Sequence, residues 1–185
     1  MKLICIPCHS RHFYLKPDTA VLRHGRTFYI PERCSRLAGA MALVVRIDRI
    51  GRHITQRFAH RYYHETALGF CLYAADVWEQ NRIEGVAWGP ACSFDYSAPL
   101  SDIFVDVGQV PLVGTTLSWR SEKQSWRDVL QENLVDSILP YLSQYIFLKM
   151  GDLIWIELHP PMTLGVGEGV EVFRNEVMEL RFGVQ

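Results

Sequence analysis

The chain has 185 residues, which sets the expectation of a single domain over 1–185. Lys plus Arg number 19 and Asp plus Glu 20, a formal net charge of −1, so the cationic excess of a polyanion-binding surface is missing and nucleic acid is excluded as an expected partner. Hydrophobic residues make up 49% and charged residues 21%, a globular balance that excludes disorder as the main state.

Leu3 to Ile6 reads as a short apolar strand. Phe13 to Leu15 and Thr27 to Ile30 flank the turn residues His24-Gly25-Arg26, as in a hairpin. Ala42 to Ile50, ALVVRIDRI, is the strongest strand signal, being β-branched and then alternating. Ile54 to Tyr63 carries Phe58, Tyr62 and Tyr63 at helical spacing, with Thr55 as N-cap. Thr66 to Ala75 predicts a buried strand, and Asp76 predicts the cap of a short helix through Asn81. Gly85 to Asp95 reads as loop. Ile103 to Val107 and Val113 to Trp119 predict strands. Asn133 to Phe147 predicts a helix that starts late, near Asp136, or kinks at Pro140. A turn at Lys149 to Asp152 leads into a strand from Leu153 to Leu158. The Gly165-to-Gly169 loop precedes the last two strands, Val170 to Phe173 and Val177 to Phe182. Many strands with few helices predict an α+β or mainly β domain.

Local motifs carry little chemistry by themselves. Cys5-x-x-Cys8 has no second pair at zinc-finger spacing, so packed thiols are the better reading. His60 and His64 share a helical spacing but lack the Glu of a His-Glu-x-x-His site. The Gly165-x-Gly167-x-Gly169 run precedes a strand, whereas a phosphate loop opens a helix. Arg46, Arg49 and Arg52 read as a solvated strand face. The five cysteines, an odd number, predict reduced thiols and a cytoplasmic protein. No apolar run reaches the roughly 18 residues of a membrane span, and no membrane partner is expected.

The order of short phrases is more specific. Lys16-Pro17-Asp18-Thr19-Ala20 is followed by Leu43 to Ile54, LVVRIDRIGRHI. Then come Ser93-Phe94-Asp95 with Ala98-Pro99-Leu100, Tyr141 to Tyr145 (YLSQY), and Gly151-Asp152-Leu153-Ile154. This succession resembles the fumarylacetoacetate hydrolase family, in the branch of acylpyruvases and 2-hydroxyhepta-2,4-dienedioate isomerases. The resemblance implies an α+β fold, a strand-rich mixed β-sheet roll with a few short helices, usually as a homodimer. It implies enzymes that cleave, decarboxylate or tautomerise 2-oxo acids held on magnesium or manganese. Chelation of two substrate oxygens by a hard cation draws electrons from the adjacent carbon and favours an enolate.

The same resemblance places the family's site residues on altered positions. Its Glu-x-Glu metal pair falls on Ala40 and Ala42, and its metal-binding Asp on Cys71. Its Arg falls on Ala75, its closing Asp is kept as Asp76, and its charge-stabilising Lys falls on Cys92. The lid segment with its catalytic His-Glu pair is mostly missing. His12 lies within one position of the catalytic His without a partner Glu.

Lost together, these features predict a catalytically inactive relative that acts as a dimeric scaffold, regulator or ligand-binding protein, with no metal cofactor. The alternative is a metal-independent isomerase, decarboxylase or C–C hydrolase acting on 2-oxo acids such as acylpyruvates or oxaloacetate through His12, Lys16 or His159. A small carboxylate is an expected ligand. Cys71, Cys92 and His159 are the candidates for a soft metal ion, which prefers sulfur and nitrogen to oxygen.

Overall fold

The computed structural model describes residues 1–185 and contains fourteen strands and three α-helices. The strands are β1 (Leu3–Ile6), β2 (Tyr14–Lys16), β3 (Val21–Arg23), β4 (Thr27–Phe28), β5 (Leu37–Ile47), β6 (Tyr63–Ala74), β7 (Ala98–Leu100), β8 (Val105–Asp106), β9 (Thr116–Arg120), β10 (Ser125–Val129), β11 (Leu153–Glu157), β12 (Met162–Leu164), β13 (Gly169–Arg174) and β14 (Val177–Val184). The helices are α1 (Ala75–Glu84), α2 (Gly89–Cys92) and α3 (Leu134–Tyr145).

A nine-stranded mixed sheet runs β2-β1-β11-β5-β6-β7-β3, with β12 added to β5 and β8 to β6. A five-stranded sheet runs β10-β9-β13-β14-β4. The strand-rich α+β roll predicted from the sequence is the observed fold.

β5 and β6 are apolar in nearly every position because both of their faces are covered. Side chains alternate across a strand, so each strand feeds two cores. Met41, Leu43 and Val45 of β5 join Leu68 and Phe70 of β6 and Trp119, Val172 and Phe182 of the smaller sheet in the main core. Ala42 and Val44 join Ala67, Cys71, Tyr73, Cys92 and Trp155 in a second core on the opposite face. Trp155 fits there because Gly69 has no side chain; a Cβ on Gly69 would collide with the indole ring.

Several local expectations are corrected. No hairpin joins the segments around Gly25. β2 pairs with β1, β3 runs parallel to β7, and β4 runs parallel to β14. Gly25 does turn the chain, at φ 75°, but its two flanks enter different sheets. The segment after Thr55 is a 3-10 helix over Gln56–Tyr62, and the Thr55 side chain does not cap it. α1 is preceded by Ala74, so Asp76 lies in the first turn instead of capping it. Asp76 accepts hydrogen bonds from the Ser35 amide at 2.7 Å and hydroxyl at 2.5 Å. α2 occupies the middle of the expected loop. α3 starts at Leu134 and continues through Pro140.

Candidate active site

The positions that the resemblance assigns to metal binding meet on the second-core face of the larger sheet. Ala40 and Cys71 are direct partners across β5 and β6, and Ala42 lies two residues further along the same face. All three are 0% exposed. Cys92 reaches the same core from the end of α2. Ala75 and Asp76 begin α1 at the rim. Folding thus brings together residues that are far apart in the chain, but they are now two methyl groups and two thiols.

Burial raises the pKa of both thiols, that of Cys71 well above the ordinary range. They are neutral, weakly polar groups at neutral pH. A hard divalent cation requires several oxygen ligands, and the donor set at Ala40, Ala42 and Cys71 does not fit one.

One carboxylate does occupy this face, and it comes from a position that the sequence reading passed over. Glu157, the last residue of β11, stands across from Ala42 in the antiparallel register. It is 4% exposed. The Tyr73 hydroxyl bonds its Oε1, and the Tyr14 hydroxyl approaches the same oxygen at 3.1 Å. The two phenol oxygens are 2.8 Å apart. Oε2 is buried and has no partner in the protein. Burial pushes the Glu157 pKa up to about 7, against the lowering effect of the two phenols and of Lys16. The signal was present in the sequence: Trp155 and Glu157 share one face of a strand that is otherwise apolar, and a lone carboxylate at an inward position marks a special environment.

Lys16 is also buried on this face. Its Nζ donates to Ser97 Oγ at 2.8 Å, to the Leu72 carbonyl at 3.3 Å and to the Cys92 carbonyl. It lies 5.6 to 5.8 Å from the ring centroids of Phe94, Tyr14 and Tyr73. Its ammonium is therefore held by fixed protein acceptors and aromatic faces.

His159 points elsewhere. Its Nε2 accepts hydrogen bonds from the Met41 amide at 3.0 Å and the Trp119 indole at 2.7 Å. Its Nδ1 lies 2.7 Å from the Pro160 carbonyl, which fixes the proton on Nδ1. Met41 and Trp119 belong to the main core, so His159 lies on the far side of the sheet from Cys71 and Cys92. The three soft-metal candidates do not converge. His12 is exposed and meets the edge of the Trp88 ring at 6.2 Å.

Above the second core a cavity of about 480 Å³ remains open. Glu157 and Tyr73 form part of its floor; Trp78, Arg36, Glu79 and the Pro160-Pro161 turn are among its walls. Ala40, Ala42, Cys71, Cys92 and Lys16 do not line it. The remaining motifs are structural. His64 pairs with Asp48. Arg46 pairs with Glu65 at 2.6 Å and stacks on Phe104. In the glycine-rich turn, Glu168 accepts from the Gly165 amide at 2.8 Å. No helix of the structure is long and apolar enough to cross a membrane.

No family model matches the chain. It is 29% identical to the mitochondrial oxaloacetate tautomerase FAHD1 of Rattus norvegicus over 93% of this chain and 80% of that protein. The mouse protein of the same name is 31% identical, over 76% of this chain and 65% of that protein. A fumarylpyruvate hydrolase of Ralstonia is 26% identical over 77% of this chain and 76% of its own length. Among solved structures, fumarylpyruvate hydrolase from Pseudomonas aeruginosa in complex with Mn2+ and pyruvate superposes with a TM-score of 0.85 at 22% identity, covering 100% of this chain and 88% of that one. The 2-hydroxyhepta-2,4-diene-1,7-dioate isomerase of Mycobacterium marinum gives 0.84 at 21% identity, covering 99% of this chain and 73% of that one.

Proposed function

The chain belongs to the fumarylacetoacetate hydrolase family, and within it we propose a member that has lost metal-dependent catalysis and keeps a ligand cavity. One observation carries the reading: Ala40, Ala42 and Cys71 converge, fully buried, where the resemblance puts three metal carboxylates. Glu157 alone cannot replace them, because a hard cation needs several oxygens. The reading includes a two-fold homodimer. It is supported by exposed Ile50, Phe58, Tyr145, Phe147 and Met150, whose segments lie together through the packing of α3 on the 3-10 helix and the Gly51–Leu148 bridge. The direct test is turnover of oxaloacetate and an acylpyruvate with and without magnesium or manganese. No metal-stimulated turnover is expected, and its appearance would overturn the reading.

A second reading rests on Glu157. A carboxyl group titrating at about 7 beside a cavity is tuned for proton transfer. A metal-independent isomerase of 2-oxo acids would use it as the acceptor for a proton next to the carbonyl. His12, Lys16 and His159 do not line the cavity. Metal-independent turnover lost in Glu157→Gln would establish this reading.

A further inference from the structure

The cavity over Glu157 contains one acidic group without a direct ion pair. Its carboxyl and guanidinium side chains are Arg36, Glu79 and Glu157. Arg36 and Glu79 face each other at 3.5 Å, and Arg36 also donates to the Ala75 carbonyl at 3.3 Å. Arg82 adds a second cation to Glu79 at 3.1 Å. Glu157 has no ion-pair partner; one oxygen takes the phenols of Tyr14 and Tyr73, and the other is buried, with the Cys71 thiol beside the carboxyl group. The ionisable groups around it are Tyr14 and Lys16 on β2, Cys8 after β1, Cys71 and Tyr73 on β6, and Cys92 on α2. The one cation among them, Lys16, has its Nζ on three acceptors of its own. The walls add aromatic surface: the Tyr73 and Trp78 rings meet edge to face at 5.2 Å.

We infer that this cavity binds a small organic ammonium ion, its positive charge over the Glu157 carboxyl group and its alkyl part against Trp78 and the Pro160-Pro161 turn. An ammonium places positive charge beside a carboxyl group that has no ion-pair partner, and aromatic faces attract it. A carboxylate ligand would find no uncommitted cation, since Arg36 is already paired. The volume of about 480 Å³ suits a molecule of metabolite size. The inference rests on the loss of metal chemistry proposed above, because a divalent cation on this face would compete for Glu157.

The test is isothermal titration with propylammonium chloride, with sodium propionate in parallel, at pH 6 and pH 8. Propylammonium keeps its charge across this range, so the pH response reports Glu157. Saturable propylammonium binding is expected, roughly tenfold tighter at pH 8 as Glu157 ionises. Glu157→Gln, close in shape, should weaken it at least tenfold and remove the pH response. Trp78→Leu, at a half-buried site, should weaken it several-fold. Propionate binding in preference, no propylammonium binding, or an affinity indifferent to pH in the native chain overturns the inference. If propylammonium fails to bind while metal-stimulated turnover is also absent, this inference alone falls. Metal-stimulated turnover would overturn the proposed function whatever the amine does.

Discussion

Glu157 of β11 stands directly across from Ala42 of β5, the position to which the resemblance assigns the second metal-binding Glu. The carboxylate on this face of the sheet therefore comes from the neighbouring strand, and it comes alone. Two phenols serve one of its oxygens, so its surroundings resemble a proton site more closely than a metal site. The local chemistry has changed while the strand pairing that positions it is intact.

Glu157 should make stability depend on pH in an unusual direction. Its pKa is raised from 4.5 to about 7 in the folded state, so between those values the folded chain binds more protons than the unfolded one. Its contribution to stability is then fully present below the unfolded value and lost as pH rises toward 7. The loss is on the order of 3 kcal/mol at most for a group this buried. Urea denaturation of the native chain and Glu157→Gln from pH 4 to pH 8 should show the difference between them changing across this window. A constant difference would contradict the proton assignment.

His159 should behave as a structural residue. Its Nε2 satisfies two buried donors, the Met41 amide and the Trp119 indole, and His159→Ala leaves both unpaired at a cost of about 2 to 4 kcal/mol. Burial lowers its pKa from 6.5. The folded state then resists protonation, and this contribution, present above 6.5, is lost as pH falls. A thermal melt of His159→Ala that matches the native chain would remove the structural role.

Sequence legibility followed locality. β1, β5, β6 and β11 announce themselves as apolar runs because their surroundings are apolar on both faces. β10, with four of its five residues solvent-exposed or charged, has no such pattern and exists because it pairs with β9. The turn at Gly25 was legible, yet the partners of β3 and β4 are β7 and β14, more than 70 residues away, and no local signal names them. At the site, the resemblance identified Ala40, Ala42, Cys71 and Cys92 as one neighbourhood. Glu157 escaped because LIWIEL reads as an ordinary strand unless inward and outward positions are separated. His159 follows the strand that carries Glu157, but the chain turns after β11 and carries its ring to the face away from Cys71 and Cys92.

Restoring carboxylates should demand all three together. Ala40, Ala42 and Cys71 are 0% exposed, so Ala40→Glu alone buries an unpaired charge and adds volume to a packed core. A loss of about 3 kcal/mol or more is expected, as for other unpaired buried charges. The combined Ala40→Glu, Ala42→Glu, Cys71→Asp chain should be less stable still, and manganese should recover part of that loss by binding the folded state. Melting with and without manganese reads both effects. Manganese stabilisation of the native chain to the same degree would show that the alanines are not standing at a lost metal site.

The cysteines give the last and simplest test. Cys5, Cys34, Cys71 and Cys92 are buried, whereas Cys8 is half-buried at the cavity wall. Thiolate is the reactive form, and burial both blocks access and raises the pKa of Cys71 and Cys92. Cys8 has a raised pKa as well, through burial and the nearby Glu157, so its reaction should be slower than that of a free thiol but faster than the others. With a chromogenic disulfide reagent at pH 8, one thiol should react in the folded chain, and Cys8→Ser should abolish that phase. The other four should appear only in denaturant. Zinc added beforehand should leave the rates unchanged, because Cys71 and Cys92 share a face that His159 does not reach. Stoichiometric zinc retained by the native chain and lost in Cys71→Ser or Cys92→Ser would instead show that two thiols and a different third ligand assemble a soft-metal site in solution.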